Sequence, residues 1–178
     1  MVPLSTSLLG LMIPICYILV FVDPFRLFDV MHSGSYFESP YWVGIPSRSA
    51  IAVTLLQPAA VIGYLLWIGW LHSDAPKPQG ILTQNVAITL LRLFLLSSVI
   101  WPFLTFLSIK NPQNLGLAIM CCIPLWISGI CVSLLVAFTF EAFAPPLPTL
   151  GVLLLSQVVV MADAIGWSAV RLQNVIYR

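Results

Sequence analysis

Two ionisable residues sit inside hydrophobic runs: Arg92, in LLRLFLLSSV, and Asp163, in VVVMADAIGWSAVRL. An ionisable side chain in lipid is costly, so it points to a proton relay, an ion path or a partner's polar group. At 1.5 Å rise per residue, Arg92 lies about 10 Å in from one side and Asp163 about 20 Å. Unequal depth means that a direct pair needs helix tilt and is not compelled by the spacing. A relay normally needs a chain of acids, and only one acid lies mid-span. The plainer expectation is that each residue is satisfied by a neighbouring subunit or by snorkelling. Gln57, beside Pro58, and Gln157 are neutral and suited to hydrogen bonds across helices, each of modest worth. Glu141, in FTFEAFAPP, is expected at the membrane interface.

Several chemistries are disfavoured. His32 and His72 fall in loops, whereas a membrane haem held by two histidines needs them inside spans. No lysine falls within a span, which removes a retinal Schiff base. There is no HExxH, no Gly-rich phosphate loop and no paired carboxylate on one helix face. Serines are plentiful but no base accompanies them. Cys16, Cys121, Cys122 and Cys131 all lie in apolar runs without a CxxC, and are expected to pack as small hydrophobes. No catalytic residue, metal ligand or cofactor is expected. Gly63 and Gly69 flank Trp67 and would permit close helix approach, though GxxxG is absent there.

The elements that carry these residues follow from composition. Of 178 residues, 60% are hydrophobic and 7% charged, against about 25% charged in soluble domains. The chain reads as an all-α polytopic membrane protein, one domain over residues 1–178, with five helical spans near residues 4–22, 49–71, 85–109, 115–140 and 149–172. The runs are too long and continuous for the roughly 10-residue alternation of a membrane β-barrel. A net charge of +1 gives no field to attract nucleic acid, which is excluded as a partner. The first loop interleaves charges with Phe25, Phe28, Tyr36, Phe37, Tyr41 and Trp42, so it is expected along the headgroup zone. Arg26, Arg48, Tyr41 and Trp42 are its candidate contacts with other subunits. Arg26, Arg48, Lys110, Arg171 and Arg178 fall on one side and Lys77 on the other. The positive-inside rule then places the N-terminus outside and the C-terminus on the matrix or cytosolic side. The first run, MVPLSTSLLGLMIPICYILVFV, lacks the basic start of a secretory signal and the Arg-rich character of an organelle presequence, and is expected to be retained as a span.

Four segments, in order, resemble the steroid 5-alpha-reductase family: FVDPFR at the end of the first run, then GIPSRSAIAVTLLQPAAV, LLRLFLLSSVIWPF and GVLLLSQVVVMADAIGWSAVRL. The resemblance implies a helical membrane scaffold and, in the family, an NADPH-dependent reduction. The residues that would carry the reduction differ. Counted from Arg48, the family's Gln-Glu pair falls on Thr54 and Leu55, with Gln57 displaced. The family's tyrosine proton donor falls on Phe94 and its neighbouring arginine on Ser97. The segment that helps the family enclose NADPH is expected to be missing after RLQNVIYR. A reductase needs a held hydride donor and a group that protonates the substrate. A chain of this ancestry would keep the scaffold and lose the chemistry.

The leading expectation is a non-catalytic accessory subunit of a larger membrane complex, such as a respiratory one in the mitochondrial inner membrane, contacting other membrane subunits and structural lipids. The endoplasmic reticulum is the competing location. A lipid or steroid-like NADPH-dependent reductase and a small transporter or channel are the alternatives. The last would need a wet path past Arg92, Asp163, Gln57 and Gln157.

Overall fold

A computed structural model describes residues 4–19, 47–73 and 83–177. All regular structure among them is helical: α1 (Leu4–Tyr17), α2 (Ser47–His72), α3 (Gln84–Lys110), α4 (Leu115–Glu141), α5 (Pro146–Ser156) and α6 (Ser168–Ile176). An 11-residue π-helical stretch, Gln157–Trp167, joins α5 to α6 without a break. Four units are long and apolar enough to cross a bilayer: Arg48–His72, Gln84–Lys110, Leu115–Glu141 and the continuous rod Pro146–Ile176. The polytopic membrane fold read from the sequence is therefore present. Helix α1, at 14 residues, is shorter than the roughly 20 that span a bilayer. Residues 20–22 of the expected first span lie outside the described residues, as do Arg26, Tyr41 and Trp42 of the first loop.

Local chemistry sets the ends. The Thr83 side chain accepts a hydrogen bond from the Val86 N–H at 3.4 Å and starts α3. The Asn114 side chain accepts from the Leu117 N–H at 3.1 Å and starts α4. Each satisfies a donor that the first helical turn leaves orphaned. Pro146 opens α5 at a position where its missing N–H costs nothing. The tight turn before it is closed by Ala144 N–H donating to the Thr139 carbonyl at 3.2 Å, with Phe143 at φ 46°. Pro14, Pro58, Pro102 and Pro124 lie inside helices. Such prolines are tolerated in lipid where neighbouring groups re-satisfy the backbone.

Helix α4 is the central element. It packs against α3, α5, the π stretch and α6, while α2 packs chiefly on α5 and α1 chiefly on α3. Buried side chains form two clusters along the membrane normal. One holds Trp67, Trp70, Leu91, Phe94, Leu135 and Phe138. The other holds Ala50, Trp101, Cys121, Cys122, Leu125, Ala164 and Trp167, with the Trp101 and Trp167 rings edge to face at 5.5 Å. The second cluster lies toward the end of the bundle that carries Arg48, Lys110 and Arg171.

Candidate functional site

Polar side chains inside the bundle gather at three places. The first is near the opposite end, where Arg92 Nε donates to Thr6 Oγ1 at 3.3 Å and ties α3 to α1. Eight residues into α3 and two into α1, both groups lie near the same face of the membrane. This is an interhelical contact that the run of residues around Arg92 did not disclose. In the adjoining core, Trp67 Nε1 donates to Thr139 Oγ1 at 2.8 Å, and Thr139 Oγ1 donates to the Leu135 carbonyl at 2.7 Å. That pair joins α2 to α4.

The second place is at the Arg171 end. Arg171 Nη2 donates to the Ser108 carbonyl at 2.5 Å and to Ser108 Oγ at 2.7 Å, and Nε donates to Ser108 Oγ at 3.2 Å. Three bonds from one guanidinium pin α6 to the last turns of α3. The Cys121 thiol lies beside Ser108 and Arg171, and Cys122 faces Ser168. Cys121 Sγ donates to the Ala118 carbonyl at 3.1 Å. Ser108, Cys121 and Cys122 are fully shielded. Above them, Thr105 Oγ1 and Ser128 Oγ are buried without a hydrogen-bond partner among the described residues. Sequence reading missed this cluster. It treated Arg171 as a topology charge and the cysteines as isolated packing groups, because nothing local joins residues 108, 121 and 171.

The third place is Asp163, within the π stretch. Its carbonyl accepts from the Ser168 N–H and, at 3.4 Å, from Ser168 Oγ. Its carboxyl makes no hydrogen bond or ion pair among the described residues. Asp163 is half-buried rather than sealed. Arg92 and Asp163 are not brought together. Gln57 is half-buried and Gln157 exposed, and among the described residues neither bonds across helices. Arg48 is exposed in the first turn of α2. Glu141 is exposed at the end of α4.

The positions onto which the reductase resemblance would carry its chemistry lie apart. The Thr54 hydroxyl donates back to the Ala50 carbonyl at 2.9 Å. Leu55 is 72% exposed on the outer face of α2. Phe94 and Ser97 are buried within the helix packing of α3. Helix α2 packs on α5 and the π stretch rather than on α3, so these two pairs do not converge. Among the described residues, no three His, Cys, Asp or Glu side chains are grouped to hold a metal.

A lateral groove of about 660 Å³ opens between α4 and the π–α6 segment. It is lined by the small residues Gly129, Ser133, Ala164, Ser168 and Ala169 and by larger apolar ones that include Trp126, Leu134, Ile165 and Leu172. Gly129 is required at its position, since a Cβ there would stand 2.8 Å from Ala164 Cβ. No family model, curated protein or solved structure matches the chain.

Proposed function

We propose that this chain is a non-catalytic accessory subunit that holds together a larger membrane complex. The observation that carries the reading is the lateral groove. It lies along the middle of α4, from Trp126 to Leu134, faces sideways, and has small side chains among its lining residues. Without a hydrophobic driving force between helices in lipid, association depends on close packing over small residues and on polar contacts. A groove of that kind is the shape into which a partner's helix packs. The chain's own interior polar groups support the same reading. Arg92, Trp67 and Arg171 each serve to tie one helix to another, which is work for a scaffold. The part of this proposal that names a respiratory complex of the mitochondrial inner membrane rests on the sparse charge of the chain.

The test is mild detergent extraction from the source membrane, native-gel separation, and mass spectrometry of co-migrating chains. Migration in a large assembly at fixed stoichiometry is the expected result, and the co-migrating chains name the complex and the membrane. Migration as a monomer or small homo-oligomer would sink the reading.

A further inference from the structure

We propose that Phe143 is a membrane-interface anchor: the turn between α4 and α5 holds its backbone in a left-handed conformation and presents its ring to the headgroup layer of the leaflet at the Glu141 end. The inference does not rest on the accessory-subunit reading. Two bonds close the turn. Phe143 N–H donates to the Phe140 carbonyl at 3.0 Å, and Ala144 N–H donates to the Thr139 carbonyl at 3.2 Å. This pair of bonds ends a helix through one left-handed residue, a place usually taken by glycine and sometimes by asparagine. Here it is taken by phenylalanine at φ 46°, the only non-glycine residue with positive φ among the described residues. A bulky L side chain in that region is a backbone outlier with a steric cost.

The chain's own packing does not offset that cost. Ala142 and Ala144, on either side, pack against the core, whereas Phe143 is 93% exposed. In water the ring would add the cost of its exposure to that of the backbone. Strain kept at a residue that stabilises nothing within the chain points to a contact outside it.

The depth of the turn says what that contact is. Helix α4 is long and apolar enough to cross a bilayer, and its 27 residues measure about 40 Å at 1.5 Å rise per residue. A bilayer has about 30 Å of hydrocarbon and about 40–45 Å with both headgroup layers. Each end of α4 therefore lies in a headgroup layer, and Phe143 follows the last residue of α4 by two. Aromatic side chains are favoured at that level. Phe140 and Leu147 are also exposed near this end, so the uncovered apolar side chains come from α4, the turn and α5 rather than from one face of one helix. A lipid layer that surrounds the bundle reaches all three. Removing a phenylalanine ring from water stabilises by an amount comparable to what a left-handed L residue costs.

The test uses the full chain, in its own membrane and in phosphatidylcholine vesicles. Benzoylphenylalanine in place of Phe143 keeps an aromatic ring at the position. On irradiation in the native membrane it should form adducts with phospholipid. Adducts only with protein, whether a partner or another part of this chain, would overturn the proposal. In vesicles, a nitroxide on Glu141→Cys reports the depth of the turn, since all four native cysteines are buried. Phe143→Gly should fold, because glycine is the residue this turn favours. It should raise collision of the nitroxide with a water-soluble nickel chelate by about twofold or more, as expected when a side chain that holds the turn in the interface is lost. Phe143→Trp, which restores a ring suited to the interface, should leave collision at the native level. Equal collision in the native, Phe143→Gly and Phe143→Trp chains would show that the ring does not set the depth of the turn, and the anchor would be refuted.

Discussion

At the scale of the residue, Arg171 is the most heavily committed polar group in the bundle. Its three bonds to Ser108 use a planar guanidinium fork that a lysine ammonium cannot reproduce. Hydrogen bonds involving a charged partner contribute about 1.5–3 kcal/mol each in folded proteins, whereas neutral contacts between membrane helices average about 0.6 kcal/mol. Arg171→Ala is therefore expected to destabilise the purified chain more than Trp67→Phe, which removes only the indole donor to Thr139. With a shift of about 2–4 °C per kcal/mol for a chain of this size, thermal unfolding in detergent should fall by about 10 °C or more for Arg171→Ala, by less for Arg171→Lys, and by about 2 °C for Trp67→Phe. Equal small shifts for Arg171→Ala and Trp67→Phe would show that the guanidinium contact is not maintained in the folded chain. Sequence reading picked out Arg92 and Asp163 because a charge in an apolar run is visible at one position. It could not see Arg171 as a contact, because Ser108 lies 63 residues away and a serine in a helix carries no pairing signal.

At the scale of the element, the α2–α5 seam is set by two glycines. A Cβ on Gly63 would collide with the Gly151 carbonyl, and a Cβ on Gly151 would stand 2.6 Å from the Gly63 carbonyl. Backbone atoms cannot swing aside as a side chain can. Gly63→Leu and Gly151→Leu are each expected to cost at least the roughly 1–3 kcal/mol of ordinary overpacking, read as a lower unfolding temperature and faster proteolysis between α2 and α5. Gly69 meets nothing within 4 Å, so Gly69→Leu should change stability by no more than about 0.5 kcal/mol. A matching loss at Gly69 would refute the close seam as the cause. Both Gly63 and Gly69 drew attention in the sequence as flanks of Trp67, but their different fates depend on Gly151, which only the fold brings opposite. The last four spans were legible to within a few residues, since about 20 apolar residues between polar turns leave little freedom. The π stretch was not. Three β-branched residues, Val158–Val160, and Gly166 weaken the preference for α-helix, but such residues also occur in ordinary membrane helices. The five-residue step from Val159 to Ala164 follows from packing against Gly129, which is tertiary information.

At the scale of the whole molecule, the distribution of charge predicts how the bundle sits in its membrane. The Asn111–Asn114 turn between α3 and α4 lies at the end that carries Lys110, with Arg48 at the start of α2 and Arg171 near the end of α6. The turn between Glu141 and Pro146 lies at the other end of α4 and contains no Lys or Arg. Cations flanking spans are retained on the cytosolic or matrix side. The proposed orientation therefore has the Asn111–Asn114 turn on that side and Glu141 across the membrane. All four native cysteines are buried, so introduced cysteines can be read against a low background. Gln113→Cys in sealed vesicles of known sidedness should react with an impermeant maleimide only from the matrix or cytosolic face, and Glu141→Cys only from the opposite face. Both residues are exposed at turns or helix ends away from the core, so neither substitution should disturb packing. The reverse pattern would invert the orientation and make the few basic residues a poor guide to it. Labelling of both sites from one face would mean that α4 does not cross, and the groove along its flank could not then receive a transmembrane helix.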